Sequence, residues 1–219
     1  MIQRKGFTLI ELLIVIGILA ILATTVVLVL NPAQILQESR DTQRISDLGA
    51  VNSAIGLYLA TVSNPTFGGG SLDTDSCGTL VWRASGAGNP IAAVPDANNP
   101  FVTGDGGVVL TSVPTTGFRN VDGTGWVSAN ISQVSGGSPL AVLPTDPSAE
   151  NASSVAPLDG VGHFYAFQCD ITPNALVYEI NANMESAKFG NSGGSDVEST
   201  DGGDNADIYE LGTRPGFNL

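Results

Sequence analysis

The sequence predicts an α+β fold: a long N-terminal α-helix, apolar in its first half and amphipathic in its second, packed on a small antiparallel β-sheet. Three observations carry this. From Phe7 to Leu30 the chain is nearly all aliphatic with one ionisable residue, Glu11. From Ile45 to Val62 apolar residues recur at steps of three and four. Beyond residue 62 the chain turns rich in Gly, Ser, Thr, Asn and Asp with short apolar islands, the composition of a loop-rich β domain.

The apolar run fixes the first element. As a helix rising about 1.5 Å per residue, it spans a hydrocarbon core of roughly 30 Å. Arg4 and Lys5 precede it, and basic residues hold that end on the cytoplasmic side. Neither a cleaved secretory signal nor a plain signal anchor accounts for everything here. The run continues past the small residues Ala20 to Ala23, and Glu11 would cost about 2.5–3.5 kcal/mol in lipid without a partner.

Asn31-Pro32 closes the apolar run. Two readings stand side by side: Pro32 kinks or loosens one continuous helix, or it opens a second helix from a first-turn position. The amphipathic stripe that follows uses Ile45, Leu48, Ile55, Leu59 and Val62, with Asn52 as its polar exception. Glu38, Arg40, Asp41, Arg44 and Asp47 offer opposite charges three and four residues apart. The helix runs over residues 7–62 with a break allowed near Asn31–Pro32, and Ser63-Asn64-Pro65 and Gly68–Gly70 end it.

Strands are expected at Thr79–Ala84, Gly107–Val113 and Trp126–Val134. The clearest β signal is the pair His163–Ile171 and Ala175–Ile180 around Thr172-Pro173-Asn174, an antiparallel hairpin. The expected sheet is a meander of three or four strands. Its core against the helix draws on Ile45, Leu48, Ile55, Leu59, Phe164, Phe167, Leu176 and Tyr178.

The N-terminal motif Gly6-Phe7-Thr8-Leu9-Ile10-Glu11, behind its basic leader, resembles the processing site of type IV prepilins and type II secretion pseudopilins. The resemblance covers residues 1–62 strongly and 143–182 moderately. It implies a type IV pilin-like fold and cleavage between Gly6 and Phe7 by a prepilin peptidase that N-methylates Phe7. The organisation that follows is a leader at 1–6, a membrane and filament-core helix at 7–30, its amphipathic half at 31–62, and a loop-rich β domain at 63–219. Glu11 would meet the N-terminal ammonium at Phe7 of a neighbouring copy, and Pro32 would assist packing. The implied partners are further copies of the chain in a helical filament and a membrane assembly platform. The precursor would lie in the cytoplasmic (inner) membrane with its N-terminus in the cytoplasm, and the mature chain in a surface pilus. Cleavage removes two positive side chains and takes the formal charge from −13 to −15.

Leu143-Pro144-Thr145-Asp146-Pro147 is similar to the turn before the sheet in major pseudopilins and some small pilins. Two alternatives therefore accompany the pilin reading: a pseudopilin of a type II secretion system, and a monomeric membrane-tethered adhesion domain. Cys77 and Cys169 are the two cysteines. A bond between them would close a loop of about 90 residues, worth roughly 4–5 kcal/mol in the chain-entropy model. Two separate thiols are the other reading, and the pair is placed unlike the C-terminal disulfide of many Gram-negative pilins.

The acidic loop from Asp196 to Asp207 is similar to the calcium-binding loop of major pseudopilins, with Asp201, Asp204 and Asp207 as candidate ligands. A solvated acidic loop is the alternative, and the spacing is not that of an EF-hand. No cofactor is required, and a net charge of −13 opposes nucleic-acid binding. No enzyme is expected. Gly190-Asn-Ser192-Gly-Gly194 matches G-x-S-x-G only formally, in Gly/Ser-rich surroundings, and the single histidine, His163, precedes the serine.

Overall fold

The computed structural model describes residues 6–67, 77, 81–84, 109–112, 117–148, 164–170 and 176–216. Helix α1 spans Leu9–Leu30 and α2 spans Pro32–Thr61. Five strands follow: β1 Val81–Ala84, β2 Val109–Ser112, β3 Tyr165–Asp170, β4 Val177–Ala182 and β5 Tyr209–Gly212.

The joint between the helices decides between the two readings of Pro32. Asn31 adopts the left-handed conformation with φ of 38°, ending α1, and Pro32 opens α2 from its first turn. There its missing N–H costs nothing, and its fixed φ suits the helix start. Asn is among the few non-glycine residues that visit this conformation readily.

The strands form one sheet in the order β2-β1-β3-β4-β5. β3, β4 and β5 are antiparallel neighbours, β1 lies antiparallel to β3, and β2 runs parallel to β1 at the edge. The expected hairpin is thus β3–β4, with Phe167 opposite Ile180 and Cys169 opposite Tyr178. His163 and the turn at 172–174 lie outside the described residues. β5 was not anticipated; its Tyr-Glu-Leu-Gly run is too short to announce itself.

Period-two alternation divides the sheet into two faces. Tyr165, Phe167 and Cys169 of β3 share one face with Tyr178, Ile180 and Ala182 of β4, all buried in the core with Leu48, Val51, Ile55 and Tyr58 of α2. α2 packs on β4 and β5. Phe67 stands edge-on to Phe167 and Tyr178, with ring centroids 5.9 and 5.8 Å away. Each buried tyrosine hydroxyl has a partner on or beside α2. Tyr165 donates to Asp47 (2.9 Å), Tyr178 donates to Asn52 Oδ1 (2.6 Å), and Tyr58 donates to the carbonyl of Thr66 (2.8 Å).

Three expectations need correction. The sheet is not a meander of three or four strands: it has five, and β2 lies parallel to β1 at its edge. The buried stripe of α2 is Asp41, Arg44, Leu48, Val51, Ala54, Ile55 and Tyr58. It keeps Leu48 and Ile55 but is turned so that Ile45, Asn52, Leu59 and Val62 fall at its margin, only partly buried. Apolar spacing misses this because two of the buried positions are charged. The strand expected at Trp126–Val134 is also absent. Single bridges join Ala129 to Phe67 and Asn130 to Asp122, and a 3-10 turn follows at Ile131–Gln133. Ser132 donates its N–H to the carbonyl of Val121 and its hydroxyl to Asn130 Oδ1. The segment is nonetheless core, with Trp126, Val127, Ala129 and Ile131 fully buried. Of the expected core, Leu48, Ile55, Phe164, Phe167 and Tyr178 are buried, and Ile45, Leu59 and Leu176 lie partly buried.

Candidate functional site

Two constructions dominate the described residues: the bare helix α1 and the ionic clamp that fixes α2 through Asp41 and Arg44. Every described side chain of α1 is exposed, and Leu9–Val27 is long and apolar enough to cross a membrane by length and composition. A helix apolar all round has no face for water, so it needs lipid or protein on every side.

Its tip is built by a capping box. The Glu11 carboxylate oxygen Oε2 accepts from the N–H and from the hydroxyl of Thr8, each at 2.8 Å, while the Glu11 N–H donates to Thr8 Oγ1 at 3.3 Å. Two of the otherwise orphaned groups at the helix start are thereby satisfied. The carboxylate also lies at the positive end of the helix dipole. Gly6 and Phe7 precede the cap outside any helix or strand and are exposed, Phe7 by 87 %. The Gly6–Phe7 bond is thus open to solvent on this chain, one helical turn before the acid.

The clamp centres on Arg44, whose side chain is completely buried. Its Nε and Nη2 donate to both oxygens of Asp146 at 2.7 and 2.8 Å. Its Nη1 donates to Asp41 at 2.7 Å, and Nη2 reaches Glu185 at 2.5 Å. Arg40 adds a second link to Glu185. Asp41 also accepts the backbone N–H groups of Glu185 and Ser186 at 2.9 and 2.8 Å. Burial opposes the charge on Arg44, but its hydrogen bonds to Asp146, Glu185 and Asp41 outweigh that and hold its pKa above the ordinary value. The clamp therefore ties α2 to the Leu143–Pro147 turn and to the segment after β4. Asp41 and Arg44 were legible only as a helix-surface pair; Asp146 and Glu185 carried no signal as their partners.

Near the sheet, Cys77 and Cys169 form a disulfide with Cα atoms 4.8 Å apart. The acidic loop is organised by its own backbone. Asp201 accepts from the N–H groups of Gly203 (2.9 Å) and Glu210 (2.5 Å), and Asp207 accepts from the Asn191 side chain (3.0 Å). Asp201, Asp204 and Asp207 do not gather: among the described residues no three His, Cys, Asp or Glu side chains are placed to hold a metal. Ser192 has φ of 64°, but its hydroxyl contacts only Asn191, with no base beside it in the described contacts.

A bare apolar helix with a capped acid at its tip, continued by a second helix clamped to a small sheet domain, is the build of a structural subunit whose N-terminal helix suits a membrane or a packed fibre. Residues 1–27 match the family model of the prokaryotic N-terminal methylation motif. Fimbrial protein Q of Moraxella bovis is 32 % identical over 111 residues, which cover 49 % of this chain and 68 % of that protein. No solved structure matches. The chain belongs to the type IV pilin family, taken broadly to include the pseudopilins, whose members are structural proteins and not enzymes.

Proposed function

We propose that this chain polymerises into a helical surface filament through α1, after a prepilin peptidase removes residues 1–6 and methylates Phe7. The observation that supports this most is the 22-residue helix α1, exposed along its described length and carrying one carboxylate four residues after Phe7. In the membrane the precursor's apolar surface is covered by lipid; in a fibre it would be covered by neighbouring copies. Glu11 satisfies part of its carboxylate through Thr8, and the ammonium of a neighbouring mature chain would neutralise the rest. Glu11→Val keeps the helix apolar and removes the pairing. Electron microscopy should then find fibres on cells making the unaltered protein and few or none with the variant, while the globular part melts unchanged. Normal fibres from Glu11→Val, or a mature chain that retains Met1 to Gly6 by mass spectrometry, would defeat the proposal.

A second reading is a pseudopilin of a type II secretion system. The turn at Leu143–Pro147, pinned through Asp146 to Arg44, favours it. Long shed fibres containing this chain would exclude a short periplasmic fibre as its only assembly.

A further inference from the structure

The outer face of the sheet, away from α2, is not apolar, yet it is buried. Gln168 of β3 lies directly opposite Glu179 of β4, and Asn181 of β4 lies directly opposite Glu210 of β5. All four are at least nine-tenths buried. Directly opposite residues on one sheet face have Cβ atoms about 5 Å apart, so the four side chains form one contiguous patch. The Glu179 and Glu210 carboxyl groups come within hydrogen-bonding reach of each other. Around them, Gln168 Oε1, Asn181 Oδ1 and Glu210 Oε1 have no hydrogen-bond partner among the described residues, and neither has Asn181 Nδ2.

Three of these four orphaned atoms are oxygens, and two carboxyl groups meet where burial penalises negative charge. A buried acceptor without a donor is destabilising, so such a gathering calls for a positive species. The surroundings are built to keep Glu210 in place. Asn205 N–H donates to its Oε2 at 3.1 Å, its own N–H donates to Asp201, and at Gly203 any Cβ would collide with the carboxylate.

We propose that this face binds one hard divalent cation of the calcium class through side-chain oxygens of Gln168, Glu179, Asn181 and Glu210. Carboxylate and amide oxygens are the donors such an ion takes, and the site is distinct from the loop carboxylates Asp201, Asp204 and Asp207.

The test uses the full chain in detergent micelles, stripped with EDTA and titrated with calcium chloride by calorimetry and thermal denaturation. The expected result is one ion per chain and a Tm raised by about 5–10 °C at a hundredfold excess over Kd. Glu210→Gln should weaken binding roughly tenfold or more, Asn181→Asp should tighten it, and Asp204→Asn should leave it unchanged. Uptake that survives Glu210→Gln but is lost in Asp204→Asn would move the ion to the loop and overturn the proposal. So would no uptake at millimolar calcium, which leaves a proton shared by the two glutamates. Should Glu210→Gln not fold, Asn181→Asp decides alone: weaker or unchanged binding overturns the proposal.

Discussion

The two helices are consecutive in the chain and opposite in design. α1 has every described side chain exposed, while α2 buries seven residues against the sheet and loops. α1 needs an environment from outside the chain. α2 receives its environment from within, and part of it is charged, because Arg44 is enclosed by Asp41, Asp146 and Glu185. The boundary is a single residue, Asn31, in the left-handed conformation. A helix can therefore be specified by composition alone when its partner is a lipid or another copy. It needs distant residues when its partner is its own domain.

The largest expected break in this contrast is Arg44→Ala. It leaves three carboxylates buried around an empty centre and should cost about 3–5 kcal/mol. Calorimetry of the detergent-solubilised chain should record a Tm lowered by roughly 10 °C, with the capping box of α1 untouched. A fall of only a degree or two would mean that the clamp is ornamental.

A smaller effect comes from Glu198. It accepts the N–H groups of Met184 and Asn191 at 2.8 and 2.9 Å, and so holds the segment carrying Glu185. Burial, which outweighs those two bonds, pushes its carboxyl up to about 7 from 4.5. A raised acid favours the folded state while protonated. Its contribution is complete below pH 4.5 and lost as pH rises through 7, on the order of 3 kcal/mol in all. Urea denaturation between pH 5 and 8 should show stability falling with pH, and Glu198→Gln should flatten that slope. A slope unchanged in Glu198→Gln would assign the titration to another group.

The smallest change is expected from Pro32→Ala. Pro32 stands at the first turn of α2, outside the packed face. Its removal should shift the stability of the globular part by no more than about 1 kcal/mol, through the unfolded chain. A shift of several kcal/mol would show that the joint is coupled to the core, and the division into two independent regions would fail.

The sequence by itself determined α1, its capping acid and the Gly6–Phe7 motif. Those depend on composition and on contacts within three residues, and Thr8 and Glu11 meet through local geometry. It also determined the β3–β4 hairpin, where aromatic and β-branched residues fall on both sides of a turn. Only the tertiary structure decided that Arg44 belongs inside. Its partners Asp146 and Glu185 lie 102 and 141 residues away, and a charged residue on a helix reads as surface until they arrive. The same holds for Trp126–Val134, where apolar residues announced burial but isolated bridges and a 3-10 turn, held by backbone hydrogen bonds to Phe118 and Val121, stand in place of the strand. It holds again for the outer sheet face, where the burial of Gln168, Glu179, Asn181 and Glu210 has no signal in the local pattern. Short-range patterning records where a residue prefers to be, whereas the burial of charge depends on which distant groups pay its desolvation cost.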